Sequence, residues 1–507
     1  MLDGFALPRA SLRTAVVLAN HHPKAQEIVA VSDRRQDACS RATRQGKAFI
    51  GVGVCERPNG MRPLDARDRV QRFVGRAWNQ AKSPLYRNAF FIMLASIIAS
   101  GLGFFFWVVV YKVYKLSDAG YAVTMVNTIV FLVGVGSLGL PIALIRFLPE
   151  SDDPPSLINT SLSVAGVLTA ALALVFMLGL PIWAPGLVVV FGRPEYILII
   201  ALTAMAFAFG PVLDQAAIAV RRADLYAIRT ALLAALKIPL PLVFVGASAV
   251  LGGTLGIYMS FSAAFAASVI VMGYLLLPRV IPGYRPRPRL SRRRLRPMFA
   301  FSIGNWVAGL IGNAGSLLLT LLIINTVTGK PAEFTAVYYA ATVMAGILLV
   351  IPQATMTSLY AEASQRNANR RSDERRAIAL SIVLLLPGIL GMWLFADRLL
   401  GLFDLESYAS LGTVPLQILS LTSIPAFLNS VLGTRVRVRK EVVPLIVSAA
   451  IGTVVTLALG YVLLTSNGLA GLAIAVVLGQ AASTPYLLVV AGQPMEAEPM
   501  VAPPPRP

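Results

Sequence analysis

Thiols and imidazoles are almost missing from this 507-residue chain. Its two cysteines, Cys39 and Cys55, and its two histidines, His21 and His22, all precede Gly60. Everything after that point has no disulfide, no Cys or His metal ligand and no histidine acid–base group. Charge is scarce too: 13% of residues against ~25% in an average soluble protein. Acids are the scarcer sign, 24 Asp and Glu against 44 Lys and Arg. A site among the remaining residues has only carboxylates, lysines and hydroxyls to work with. Catalysis is therefore not expected, and neither is a cofactor or metal. There is no P-loop and no regularly spaced arginine run of the voltage-sensor kind. Energy for any transport must come from an ion gradient or from the substrate's own gradient.

What the chain does have is apolar length. Hydrophobic residues make up 56% of it and mean hydropathy is +0.72. From Asn88 to Gly492 long apolar stretches follow one another, each closed by charge, proline or glycine. A bilayer core of ~30 Å takes ~20 helical residues per crossing. On that measure twelve spans are expected, roughly over 88–111, 120–145, 156–181, 196–219, 229–251, 254–277, 299–325, 335–358, 377–396, 412–433, 443–465 and 468–490. The fold class is thus all-α, a polytopic membrane protein.

Basic residues fall in every second connection. Those connections and the tail hold 22 Lys and Arg, whereas the opposite set holds Lys112, Lys115, Arg193, Lys330 and Arg398. Lysine and arginine are retained on the cytoplasmic side, so both termini are expected there, with the chain in the plasma (inner) membrane. Such loops also account for the net charge of +20, and no nucleic-acid partner is expected.

The halves repeat. Pro141, Pro211, Arg221 and Gly256 recur as Pro352, Pro425, Arg435 and Gly471 at a nearly constant offset, and PVLDQAAIAVRR stands beside PAFLNSVLGTRVR. Six spans per copy is an even number, so the copies share one orientation. Secondary transporters are built this way, with substrate bound between the repeats. The expected domains are a six-helix lobe over 87–278, a basic linker over 279–296 and a second six-helix lobe over 297–491. The linker is either topogenic or a seat for anionic lipid headgroups. Residues 61–86 are expected to form an amphipathic surface helix. Residues 1–60 are expected to be a disordered extension ahead of a functional start at Met61, and residues 492–507 a disordered tail.

Charges inside spans are costly and by default mark function or a buried pair. Lys237, followed by Pro239 and Pro241, and Arg146, at the end of span two, are the candidates for meeting an anionic headgroup. Asp214 and Lys237 are equally candidates for a structural or coupling pair between neighbouring helices. Asn305 and Gln353 are candidates for sugar contact or interhelical hydrogen bonding. Arg221 and Arg435, with Arg222 and Arg437, are expected to be cytoplasmic anchors. Gly134, Gly136 and Gly139 before Pro141 give span two a closely packed or hinged half.

The stretch from NAFFIMLASIIASGLGFFFW to VGVGSLGLPIALIRFLPE resembles the first two helices of polysaccharide-repeat-unit flippases. So do FSIGNWVAGLIG, AVYYAATVMAGILLVIPQATMTSLYAEAS and GLAGLAIAVVLGQ. These flippases belong to the multidrug/oligosaccharidyl-lipid/polysaccharide exporter superfamily, and the likeness spans roughly 84–490. It implies a V-shaped pair of lobes around a cationic cavity that carries polyprenyl-(pyro)phosphate-linked oligosaccharide to the outer leaflet. By position, Arg146 and Lys237 would lie nearest that role. Glycosyltransferases or a polymerase of a polysaccharide pathway would be partners, with membrane lipids around the bundle. The alternatives are a drug/ion antiporter, for which span one lacks a carboxylate, and a non-transporting scaffold docking through its linker. A membrane glycosyltransferase would have to use Asp152 and Asp153, which read better as solvated loop acids.

Overall fold

A computed structural model describes residues 84–246, 252–363, 370–439 and 441–492. The expected extension, most of the surface helix and nearly all of the tail lie outside the described residues.

Helix α1 spans Pro84–Val113 and α2 spans Leu116–Gly136. The second span then breaks. Leu138 and Gly139 both take positive φ (50° and 71°), and Pro141 opens the short α3, Leu140–Phe147. Glycine adopts this backbone freely and proline suits a first turn, so the sequence places the break where it occurs. Helix α4 follows over Pro154–Leu178, with Asp153 Oδ1 accepting from the Ser156 N–H as its cap (3.1 Å). Two short helices, Leu180–Trp183 and Pro185–Phe191, lead to α5, Pro194–Ala219.

Helix α6 runs Ala223–Lys237, well before the expected start near 229. Its first turn is secured by the Asn88 side chain, which accepts from the Ala223 N–H (2.8 Å). Pro239 and Pro241 end it after Lys237, and the short α7 resumes over Leu240–Gly246. The Tyr114 hydroxyl donates to the Pro241 carbonyl across this break (2.9 Å). Helix α8, Gly253–Ile270, widens into a π-helical turn over Val271–Leu276.

The second half begins with α9, Arg292–Leu317, and α10, Leu319–Thr326. After α11 (Pro331–Ala363) and α12 (Arg370–Leu394) come α13 (Ala409–Leu421) and α14 (Ser423–Val438). The last helical segment, α15, covers Val443–Gly492, 50 residues. A straight helix of that length would reach about 75 Å. It does not run straight: Gly468 (φ 60°, ψ −145°) turns the chain, and Gly452 lies against Gly479, Gly460 against Leu472. Two antiparallel crossings result, packed closely at these glycines.

Ten helices among the described residues are long and apolar enough to cross a membrane. With α15 read as two crossings and α12 as one more, the count is consistent with twelve. The protein is an all-α, multi-pass membrane protein. In the first half α5 packs on α4 and α6 on α1; in the second, α15 packs on α9 and α14. The halves meet where α2 runs beside α9, α10 and α11. Arg221 and Arg222 follow α5, the linker arginines lie against the start of α4, and Arg435 to Arg439 close α14 against the end of α15, so these helix ends form a basic end.

Candidate functional site

The carboxylate of Asp214, on α5, is engaged by Arg229 rather than by Lys237. Arg229 Nε and Nη2 donate to its two oxygens at 2.5 Å each, and Nη1 donates to Ser268 Oγ on α8 (3.2 Å). Its guanidinium also lies over the Phe265 ring, 5.5 Å from the centroid. Both charged residues are buried. The expected Asp214–Lys237 pair is therefore corrected: a planar guanidinium one helix away matches the carboxylate with two parallel bonds, and an ammonium cannot. The same arginine moves from the loop count into the membrane, because α6 starts six residues earlier than expected.

That earlier start sets the depth of Lys237. The helix from Ala223 to Lys237 has 15 residues, so Lys237 lies roughly 20 Å in from the basic end of a ~30 Å core. Its Nζ sits 3.5 Å from the centroid of Phe261 on α8 and 5.7 Å from that of Phe106 on α1. It makes no ion pair with a carboxylate among the described residues. A desolvated cation–π contact is worth about 2 kcal/mol, while an unpaired charge in low dielectric costs several kcal/mol. The two rings do not offset that cost, and the side chain is only half-buried. An anion reaching Lys237 would be stabilised there.

Arg146 is exposed at the end of α3, with its guanidinium 5.1 Å from the centroid of Phe301 on α9. It thus touches the second half and stands apart from the Lys237 cage. Arg221 is exposed just past α5, in a left-handed conformation (φ 60°) that turns the chain toward α6. Arg435 is exposed in the last turn of α14. Both flank helix ends at the basic end.

The second half contains a separate cavity of about 920 Å³ between α9, α14 and α15, with Ile142 and Ile145 of α3 on its rim. Asn305, expected as a polar contact, lies on its wall, and Arg437 stands at its basic end. Around it Asn429 donates to the Gln480 carbonyl (2.8 Å) and Ser483 Oγ (2.9 Å) and accepts from Thr484 Oγ1 (2.8 Å). Thr453 and Thr456 add hydroxyls, and no carboxylate lines it among the described residues. The side chain of Gln353 lies outside the described residues. The sequence reading missed Arg229, Asn429 and Gln480. Asn429 had a signal, since it follows Pro425 at the same distance as Gln215 follows Pro211.

No protein-family model and no curated protein matches the chain. Solved structures do. An inward-facing multidrug resistance MATE family transporter of the MOP superfamily is 16% identical, with 79% of this chain and 97% of that one covered at a TM-score of 0.55. An outward-facing one is 14% identical over 81% and 94% of the two chains, TM-score 0.57. A MOP superfamily transporter from Pyrococcus furiosus, described as having a binding pocket of reverse polarity, is 14% identical over 81% and 94%, TM-score 0.56. The chain has the fold of these transporters.

Proposed function

We propose that this protein moves an amphiphile with an anionic phosphate headgroup across the plasma (inner) membrane by alternating access of its two halves. The best candidate is a polyprenyl-(pyro)phosphate-linked oligosaccharide carried to the outer leaflet for surface polysaccharide synthesis. One observation carries this reading: Lys237 is a deep, half-accessible cation between two phenyl rings, with no carboxylate partner among the described residues. The nearby acid, Asp214, is already neutralised by Arg229. Such an interior suits an anion and disfavours a cationic drug.

The second half supplies what the attached sugars would need. Among the described residues its cavity offers amide and hydroxyl groups without acids, and Arg437 at the basic end would face an incoming phosphate. Arg146, touching Phe301 across the halves, would meet the headgroup at entry. Asn305 and Gln353 would hydrogen-bond sugar hydroxyls. Both termini would be cytoplasmic, and enzymes that build or polymerise the glycan would be partners. A drug/ion antiporter is the second reading, favoured by the fold shared with multidrug transporters.

The test is reconstitution. Proteoliposomes carrying a fluorescent polyprenyl-pyrophosphate oligosaccharide should show protein-dependent translocation, at least tenfold slower for Lys237→Ala, with Lys237→Arg in between. Equal rates for wild type and Lys237→Ala, at matched folding by size exclusion, would sink the role of Lys237. No translocation by the wild type, together with cation-driven export of an organic cation, would favour the antiporter.

A further inference from the structure

The linker between the halves carries chemistry that transport leaves unused. Residues 285–289 read Arg-Pro-Arg-Pro-Arg, and they lie as an extended strap across the start of α4. Asn159 Nδ2 donates to the Arg285 carbonyl (2.9 Å), and the Arg287 N–H donates to Asn159 Oδ1 (3.3 Å). The Arg289 N–H donates to Ser163 Oγ (2.9 Å). The intervening prolines have no N–H to place, so the alternation fits a strap pinned at every second residue.

Beside the strap runs an apolar groove of about 380 Å³ between α4, α5 and the π-helical turn after α8. Val167, Phe209 and Ile270 wall it, and Tyr284, Pro286 and Arg287 line its linker end. It continues past Pro288 into a second hollow of about 580 Å³ that shares Ser163 and Val167. The groove opens outward from the bundle: Val167 is 66% exposed and Ile270 57%. An apolar wall exposed to this degree on the outside of membrane spans suits hydrocarbon, so an acyl chain fits the groove.

Two features select its headgroup. Tyr284 is 1% exposed, yet its hydroxyl has no hydrogen-bond partner among the described residues. Burial, with a smaller contribution from Tyr274, pushes its pKa up, so it stays protonated and able to donate. Arg287 is exposed and makes no ion pair among the described residues, whereas Arg289 and Arg294 face Asp153 at 3.6 Å and 3.3 Å. A buried donor lacking a partner and an uncommitted guanidinium, both lining the linker end of this groove, suit a phosphodiester anion. We infer that this groove is a binding site for an anionic glycerophospholipid, with an acyl chain along Val167 and Ile270 and its phosphate on Arg287 and the Tyr284 hydroxyl. The site lies on the outer flank of the first half and holds the strap that joins the halves, so its lipid would stabilise the linker.

Native mass spectrometry of the full chain, released from nanodiscs of mixed phosphatidylglycerol and phosphatidylcholine, tests this. The wild type should retain phosphatidylglycerol preferentially. Arg287→Gln and Tyr284→Phe should each lower that retention about fivefold, roughly the worth of one basic contact near a membrane surface. Val167→Trp, at a lipid-exposed position that leaves the core intact, should displace phosphatidylglycerol without changing oligomer or melting temperature. Equal retention of both lipids by the wild type would overturn the inference, and so would unchanged phosphatidylglycerol retention in all three variants. Preferential retention of an added polyprenyl phosphate over phosphatidylglycerol at this groove would overturn it equally, by assigning the site to substrate.

Discussion

Asp214 and Arg229 close on each other through two contacts of 2.5 Å, although they stand on different helices and both are buried. Among the described residues the pair leaves Lys237, two turns further along α6, without an acid. Removing one partner of such a pair strands a buried charge and costs about 3–5 kcal/mol, while replacing both by apolar residues is often neutral. Arg229→Met should therefore lower stability in detergent by about that amount. The double variant Asp214→Leu/Arg229→Met should recover most of it, since aligning Pro211 with Pro425 sets Asp214 opposite Leu428. Thermal unfolding followed by tryptophan fluorescence reads both. A double variant as unstable as the single one would mean that the clamp positions helices rather than neutralising charge.

The break in span two is latched from the other half. The Leu138 N–H turns to the Val135 carbonyl (3.3 Å), which leaves the Gly134 carbonyl without its helical donor. Trp306 Nε1 on α9 fills the place at 2.7 Å, beside the Ser137 hydroxyl at 3.1 Å. Trp306→Phe keeps the ring but deletes the donor, with an expected loss of about 1 kcal/mol from this contact. Faster hydrogen exchange should follow at residues 134–140, with the α4–α5 packing unchanged. Protection there equal to wild type would show that the indole bond does not hold the break.

The spans were legible because bilayer thickness imposes a length that apolar runs must meet, and the breaks at Gly139 and after Lys237 were marked by glycine and proline. The start of α6 was not. Arg221, Arg222, Asp224 and Arg229 read as a polar connection, yet Arg229 enters the membrane because its partner waits on α5. No local pattern reveals that, since whether a charge can be buried depends on another helix. Lys237 therefore lies four turns into its helix instead of two. The cavity was half-legible: Asn305 stood out within an apolar run, whereas Asn429 and Gln480 matter through a bond between α14 and α15 that only the fold creates.

Cavity volume offers the sharpest functional test. Gly309 lies on the wall of the cavity of about 920 Å³, and a β-carbon added there meets nothing within 4 Å. Gly309→Phe should thus fill space without displacing neighbours, and stability should change by no more than about 0.5 kcal/mol. If bulky substrate passes through this cavity, transport should fall at least tenfold. Gly391→Phe is the control: on α12 a β-carbon there also meets nothing within 4 Å, and the position does not line the cavity. Both variants should melt like the wild type, and only Gly309→Phe should be impaired in translocation. Full activity of Gly309→Phe would take this cavity out of the transport path and leave the Lys237 cage as the place where substrate is held.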